Sequence, residues 1–444
     1  MAFSRRSSFL SALCAGTILG VTSGVAAAAD LPTSKAPPAP PPSWWSTITV
    51  NGEIDAGIMG NPDNPGSGLN WGRVFDEQAN VPMLNDGLIT IQRPTDPNAT
   101  GYDVGFVIQG DFGTDARFLH YLQEGEYLIN SKYQLALVQA YAMVHTPWIT
   151  PGGIDFKLGQ WPTLEGVESF IDPSANLFYS HSYIFNYPEP FADFGILAIT
   201  HINPTVDIYT GISSGNQTTL GPYTGDNNNA PAFEGGIGLN KLFGGAVTVL
   251  ATTHIGPENP FYQADIPLTG NNAANSSLVY ENDINLTWTA TDKITVIGEA
   301  NYTKNDLTGA STYGGVGYAS YQTPLDWLKI NGRAEVFRDN GNASGGGTYV
   351  CAYPGNFDWV NAVHGYPNTV YCGPPTTYFE FTAGLNITPT LPSSIPFVKA
   401  VIFRPEVRYD TSLNGTTPFN VPANSTIGTK SDMVTIGGDV VLKF

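Results

Sequence analysis

The sequence predicts an all-β protein: a closed antiparallel transmembrane β-barrel of about 16 strands, with short turns at one rim and long loops at the other. Three observations predict this fold. The chain begins with an export signal, it repeats short segments in which apolar and polar residues alternate, and the connections between these segments alternate between short and long. A soluble β-sandwich would place both lengths of connection at both of its ends.

The start of the chain predicts export and then an unpaired segment. Residues 1–29 contain an arginine pair, an apolar run and an A-x-A cleavage site that ends at Ala29, as a signal peptide does. Residues 30–45, DLPTSKAPPAPPPSWW, are rich in proline, which cannot donate to a sheet, so we predict an extended periplasmic arm. Residues 46–444 form the predicted outer-membrane barrel.

The composition excludes some classes of function. The precursor has 19 basic and 38 acidic residues, and removal of Arg5 and Arg6 with the signal leaves 17 basic residues and a net charge of −21. This charge disfavours nucleic-acid binding. Charged residues make up 13% of the chain, whereas an ordinary soluble domain has about 25%. No apolar stretch of about 18 residues follows the signal, so a membrane-spanning fold must be a barrel.

Sixteen segments show the period-two alternation of β-strands. In the last segment, Val434, Ile436, Val440 and Leu442 alternate with more polar residues up to Phe444. We expect this segment to pair with the first one, because that pairing closes the sheet and removes its edges. The predicted strands lie near residues 46–59, 86–94, 101–112, 134–146, 153–162, 191–202, 205–213, 231–240, 245–255, 277–290, 293–303, 312–323, 328–339, 376–388, 398–410 and 431–444.

Residues 102–215 resemble the OmpL-like family of β-barrel porins. The resemblance rests on Lys157 and Gly159 before an acidic loop, on YSHSYIF at 179–185 and on PEPF at 188–191. It implies an outer-membrane, pore-forming protein. We therefore predict passive diffusion of small hydrophilic solutes and ions, with no cofactor, no metal and no catalytic step. The expected partners are outer-membrane lipids and these solutes, with a homotrimer as the expected assembly and no nucleic acid.

The third long loop, residues 163–190, is the predicted pore constriction. It combines carboxylates with many aromatic residues, which disfavours a loop that extends into water. We expect it to fold into the lumen and narrow the pore, as in the general porins that this chain resembles in layout. Its acidic residues are Glu165, Glu168, Asp172 and Glu189.

The wall opposite this loop is predicted to carry basic residues. In a ring of sixteen strands, strands 13 and 14 face strands 5 and 6, and strand 15 adjoins them. The inward-facing charged residues there are Arg333, Glu335, Arg404, Glu406 and Arg408. One interpretation is an electric field across the pore, between the acidic loop and the arginines. The other is a network of salt bridges within the wall, Arg333 with Glu335 or Arg404 with Glu406, and both interpretations stay open.

Cys351 and Cys372 are the only cysteines of the mature chain, and both lie in the longest loop. Export favours a disulfide between them. Closing a loop of this size would stabilise the fold by about 3 kcal/mol. A metal or redox pair would need a CxxC spacing or a cluster of histidines, and only His364 is near.

Two other classes of function remain as alternatives. Residues 211–215 match G-x-S-x-G with Ser213 at the centre, but a polar loop follows where a nucleophile elbow needs a helix. This disfavours an outer-membrane lipid or ester hydrolase. A secreted β-sandwich adhesin would be soluble without detergent. For the porin, the excess of acid predicts a mild preference for cations, although salt screens charges beyond about 8 Å.

Overall fold

The barrel is built from the second of two units into which the chain divides, Thr47–Phe444, the first being Met1–Ser46. The computed structural model describes residues 43–444 except 97–98, 123, 125–131, 222–225, 227, 260–272, 342–372, 424 and 426. In this part of the chain, no helix has the length and the hydropathy that crossing a membrane requires.

Sixteen antiparallel strands follow one another around a closed ring in sequence order, and β1 pairs with β16 as well as with β2. The predicted fold class is therefore confirmed. The strands are β1 (Thr49–Gly60), β2 (Pro82–Arg93), β3 (Asp103–Gly113), β4 (Gln134–Thr146), β5 (Ile154–Pro162), β6 (Ala192–Asn203), β7 (Val206–Asn216), β8 (Ala232–Lys241), β9 (Val247–Gly256), β10 (Val279–Thr291), β11 (Ile294–Asn305), β12 (Ser311–Gln322), β13 (Leu328–Asp339), β14 (Thr376–Ile387), β15 (Ala400–Ser412) and β16 (Asp432–Lys443).

Strand β2 begins four residues before the predicted start near residue 86. Its register against β1 shifts between Asp55 and Ala56, so that Asn85 is an extra residue on β2. A bulge of this kind interrupts the period-two pattern. Asn85 and Asp86 are therefore both buried in succession, which is why the alternation alone gave too late a start.

The connections at the two rims differ in length. After the even-numbered strands most are short, and 204–205 and 292–293 are two residues each. After the odd-numbered strands most are long, as 61–81 and 163–191 are. Short helices lie at the start of the barrel and in the connections: 3-10 helices at Trp44–Thr47, Asp115–Phe118 and Pro173–Ala175, and α1 (Tyr183–Asn186), α2 (Leu242–Gly245) and α3 (Ala273–Ser276).

The two faces of the wall differ in polarity. Outward positions of β1, such as Val50, Ile54 and Ile58, are apolar and exposed. In the described strands, charged residues occupy outward positions only near strand ends, and inward positions hold most of the charge. This is the pattern of a barrel whose outer face contacts lipid. The charged outward residues are Arg93, Lys241, Lys304, Arg338 and Asp432.

The hydrophobic core lies inside the ring, toward the long-loop rim. Side chains from four long loops pack there against inward-facing wall residues such as Val316 and Phe337. This packing positions the loops rigidly against the wall. The loop side chains of the core include Trp71 and Phe75 from the first loop, Phe118 and Tyr121 from the second, Phe178, Tyr183 and Phe185 from the third, and Phe419 and Val421 from the last.

Candidate functional site

The segment between β5 and β6, residues 163–191, contacts the wall on the far side of the ring. The backbone N–H of Tyr183 donates to Glu335 on β13 (2.7 Å), and that of Tyr179 donates to Glu406 on β15 (2.8 Å). Strands β13 and β15 lie across the closed strand order from β5 and β6. The segment therefore crosses the interior of the barrel.

Arg333 on β13 binds this loop through its side chain and its backbone. The guanidinium donates to the carboxylate of Glu168 (2.7 Å) and to the carbonyl of Ser180 (2.7 Å). A third bond runs to Glu380 on β14 (2.7 Å), and the guanidinium lies over the ring of Phe178. The side chain is fully buried, so one cation pairs with two carboxylates and fixes the centre of the loop.

Arg404 on β15 binds the part of the loop that precedes this contact. It donates to the backbone carbonyls of Pro173 (2.5 Å) and Asn176 (2.9 Å). Its charge is balanced by Asp439 on β16 and by Asp55 on β1, the latter at 3.3 Å. Because a carbonyl has no net charge, the two aspartates are what keep this buried guanidinium neutralised.

Arg408, also on β15, binds the loop at the carbonyl of His181. Its carboxylate partner is Asp410 (2.8 Å), which also accepts from the hydroxyl of Tyr183 (2.9 Å). A further arginine, Arg73 from the first long loop, reaches the same carboxylate (2.7 Å). We refer to Arg333, Arg404 and Arg408 as the arginine cluster.

Of the predicted residues, Glu168 and Arg333 are in direct contact, whereas Arg404 and Arg408 bind the loop at backbone carbonyls. The charged groups around the three arginines form a network of ion pairs. Its partners differ from the predicted pairs. Glu335 and Glu406 accept backbone N–H groups of the loop, and neither of them is an ion-pair partner of Arg333 or Arg404.

Glu168 is charged under ordinary conditions. Burial alone would raise the pKa of its carboxyl group, but Arg333 and His181 outweigh this effect and lower the pKa to about 2. The carboxylate also accepts from the backbone N–H of Ser182 at 2.9 Å. The loop therefore presents a stable anion to the arginine cluster.

Asp172 lies near the junction of β1 and β16. It bonds to Ser174 (2.5 Å) and pairs with Lys443 at 3.3 Å, while Lys443 also pairs with Glu53 (2.7 Å). Burial opposes ionisation of Asp172, but its bond to Ser174 and the charge of Lys443 lower its pKa overall. The residue is half exposed, and it is the predicted loop acid nearest to solvent.

Glu165 and Glu189 lie at the two ends of the loop, away from the arginine cluster. The carboxylates of Glu189, Asp283 and Glu299 place one oxygen each within 4.8 Å of the others. Glu165 interacts electrostatically with Glu281, Asp283 and Glu189, and we call these five buried carboxylates the acid cluster. Burial raises the pKa of Glu165 and of Glu189 well above the ordinary value, and the neighbouring carboxylates add to the effect.

Several of these residues were missed in the sequence. Asp283 and Glu281 on β10 and Glu299 on β11 share the inward phase of adjacent strands, and this spacing was the available signal. Arg73 lies in a loop without periodicity, so no pattern marked its path. The other missed partners are Asp55, Glu380, Asp410 and Asp439.

Ser213 of the G-x-S-x-G sequence faces inward on β7 and donates to Glu234 (3.0 Å). His254 also approaches Glu234 (2.7 Å), and its other ring nitrogen bonds to Glu258 (2.9 Å). The carboxylate therefore lies between the hydroxyl and the imidazole. A serine nucleophile needs the imidazole as its direct partner, and this arrangement does not provide it. Cys351 and Cys372 lie outside the described residues.

A closed barrel of 16 antiparallel strands with an apolar outer face and a charged inner face has the architecture of an outer-membrane porin. The chain belongs to the family described as "Putative beta-barrel porin-2, OmpL-like", whose model matches residues 47–444. The family that the sequence resembles is thus confirmed, and with it the outer membrane as the location. No curated protein matches the sequence.

Two solved structures are similar in fold. The anion-selective porin from Comamonas acidovorans aligns with a TM-score of 0.54 and 9% identity, over 89% of this chain and 99% of that chain. OmpF of Salmonella typhi, in a complex with daunomycin, aligns with a TM-score of 0.50 and 10% identity, over 89% and 97%. At these identities the similarity supports the barrel architecture alone.

Proposed function

We propose that small hydrophilic solutes and ions diffuse passively through this barrel, and that residues 163–191 form its constriction. The observation that carries the proposal is the crossing of the lumen by this loop and its attachment to β13 and β15. A loop fixed in this way narrows the cross-section of the lumen and leaves the barrel wall unchanged. Inward side chains near the short-turn rim, such as Asp155, Lys157 and His201, stay partly exposed, which supports access of water to the interior.

Liposome swelling with sugars of increasing size tests the constriction. A variant in which a short Gly-Ser segment replaces 167–187 keeps all sixteen strands, so it should admit larger sugars than the wild type. As a control, the same replacement in the last long loop, at 414–428, should leave the size limit nearer to that of the wild type. Equal size limits for the wild type and the 167–187 variant would contradict the constriction.

We also propose a mild preference for cations. The mature chain has 38 acidic and 17 basic residues, and inward positions of the strands hold most of the charge. An excess of acid in the lumen favours cations. The reversal potential in a salt gradient measures this preference, and a value of the anion-selective sign would overturn it.

The proposed partners follow from the outer surface. Exposed Ile, Leu and Phe residues on the outward face fit contact with outer-membrane lipids. A homotrimer is the proposed assembly, and the mass of the detergent-solubilised particle measured by light scattering tests it. A particle that contains a single chain would contradict the trimer and leave the pore proposal unaffected.

A further inference from the structure

The acid cluster joins both ends of the loop to the wall of β10 and β11. Glu165 and Glu189 come from the loop, Glu281 and Asp283 from β10, and Glu299 from β11. Every one of these side chains is more than nine-tenths buried. Buried carboxylates are costly to ionise unless a cation or several hydrogen-bond donors face them.

Several oxygens of these carboxylates have no hydrogen-bond partner among the described residues, although Asp283 accepts from the side-chain N–H of Asn285 at 3.2 Å. Neither oxygen of Glu165 has a hydrogen-bond partner in the described part of the chain, and the same is true of Oε1 of Glu189 and Oε1 of Glu299. The basic side chain that acts on Glu165 is His254, and it already lies between Glu234 and Glu258. Among the described residues, the cluster therefore has oxygens free to act as ligands, and no Lys or Arg forms an ion pair with it.

The backbone at this point also leaves room for the carboxylates. Gly166 follows Glu165 with φ +88°, and a Cβ on it would lie 2.1 Å from an oxygen of Glu189. The positive φ favours glycine at this position, because other residues are strained there. The two ends of the loop thus approach each other closely enough for Glu165 and Glu189 to face the same wall residues.

We propose that the acid cluster binds one Ca²⁺ ion, with Glu189, Asp283 and Glu299 as its central ligands and Glu165 as a further one. Ca²⁺ takes oxygen ligands at about 2.3–2.6 Å, so two oxygens on one ion lie at most roughly 5 Å apart. The three central oxygens, within 4.8 Å of one another, meet this limit. Mg²⁺ requires a tighter octahedral shell and retains its water, which a cluster of buried carboxylates does not favour.

The ion would stabilise the loop at a place that the arginine cluster does not reach. Arginines hold residues 168–181 to β13 and β15, and Ca²⁺ would hold the two ends of the loop to β10 and β11. This inference goes beyond the proposed diffusion function. Ion binding is measured directly, so its outcome does not depend on whether the barrel conducts.

The test is isothermal titration of CaCl₂ into the chelator-washed full chain in detergent. We expect one site per chain, and a double variant Asp283→Asn with Glu299→Gln should bind at least roughly tenfold more weakly, because charge count sets the affinity of such sites. The control Asp207→Asn removes a carboxylate that is bonded to His201 and Asn240, and it should bind Ca²⁺ as the wild type does.

A second measurement avoids dependence on the folding of the variants. In the wild type, Ca²⁺ should raise the temperature at which the folded gel band is lost, and an equal concentration of Mg²⁺ should raise it less. The alternative is that the carboxylates share protons. In that case Ca²⁺ neither releases heat nor shifts the transition in the wild type, and this result would overturn the proposal. Equal affinity in the double variant and the Asp207→Asn control would also overturn it.

Discussion

Replacement of Arg333 by methionine should release the centre of the loop from the wall. The change removes the bonds to Glu168, Ser180 and Glu380 and leaves two buried carboxylates without this cation. Removing one partner of a buried ion pair costs about 3–5 kcal/mol. Glu168 keeps its contact with His181, and Glu380 keeps Arg408 at 3.5 Å, so we expect a value near the lower end of this range.

A loss of about 3 kcal/mol corresponds to roughly a hundredfold change in the ratio of attached to detached loop. Limited proteolysis of the folded barrel with chymotrypsin measures it, because cleavage tracks the open population when opening is fast. The aromatic residues Phe178, Tyr179 and Tyr183 are the expected cleavage sites, and they are buried while the loop is attached. The rate of cleavage should therefore rise on the order of a hundredfold in the variant.

Arg338 supplies the matched control, since it lies on the same strand in the outward phase and bonds to Asn340 and Thr377. Arg338→Met should leave the loop resistant. The double variant Arg333→Met with Glu168→Gln should recover part of the loss, with a coupling energy of roughly 0.5–3 kcal/mol. If the loop of Arg333→Met is cleaved no faster than that of the wild type, or if both arginine variants are cleaved equally fast, the reasoning fails.

Three further predictions concern pH, catalysis and the cysteines. Because the pKa of Glu168 is lowered to about 2 from 4.5, its contribution to loop attachment is fully present above pH 4.5 and is lost as the pH falls toward 2. The difference in protease resistance between the wild type and Glu168→Gln should therefore shrink over that range, and a constant difference would contradict the assigned role. Ser213→Ala should leave any esterase activity of the purified protein unchanged, because Glu234 separates the hydroxyl from the imidazole, and loss of a measurable activity would revive the hydrolase. Cys351 and Cys372 should form a disulfide that adds about 3 kcal/mol, so a mass increase on alkylation without prior reduction would exclude it.

Much of the fold could be predicted because its pattern is local. A strand with lipid on one side and charged groups on the other alternates along its whole length, as β16 does from Met433 to Val441. Closure of the sheet into a barrel then follows, because the first and last strands would otherwise leave unpaired edges. The pattern fails where the backbone departs from period two, as at the bulge beside Asn85.

The candidate site was predicted only in part, because its contacts are distant in the sequence. Arg333, Arg404 and Arg408 were found because each lies in the inward phase of a strand. Glu168 was also predicted as a residue of the loop opposite them, but its pairing with Arg333 was not, because the course of the loop depends on tertiary packing. Arg73, which has no strand around it, gave no signal at all.

The acid cluster, too, could be predicted from the sequence only in part. Asp283 and Glu299 have the inward phase of adjacent strands, and their closeness could have been derived from the register of β10 and β11. The approach of Glu189 to both of them could not, because it depends on where the end of the loop lies. Local periodicity assigns the face of a residue, whereas the packing of long loops decides its partner.

Recording of the current across planar lipid bilayers, with purified protein added from detergent, tests the central claim most directly. A closed barrel with a charged interior and a loop across its lumen should insert and give discrete steps of conductance, larger in the variant in which 167–187 is replaced. The account would be contradicted if the chain stayed dissolved as a compact particle without detergent and the bilayers showed no current steps at any protein concentration.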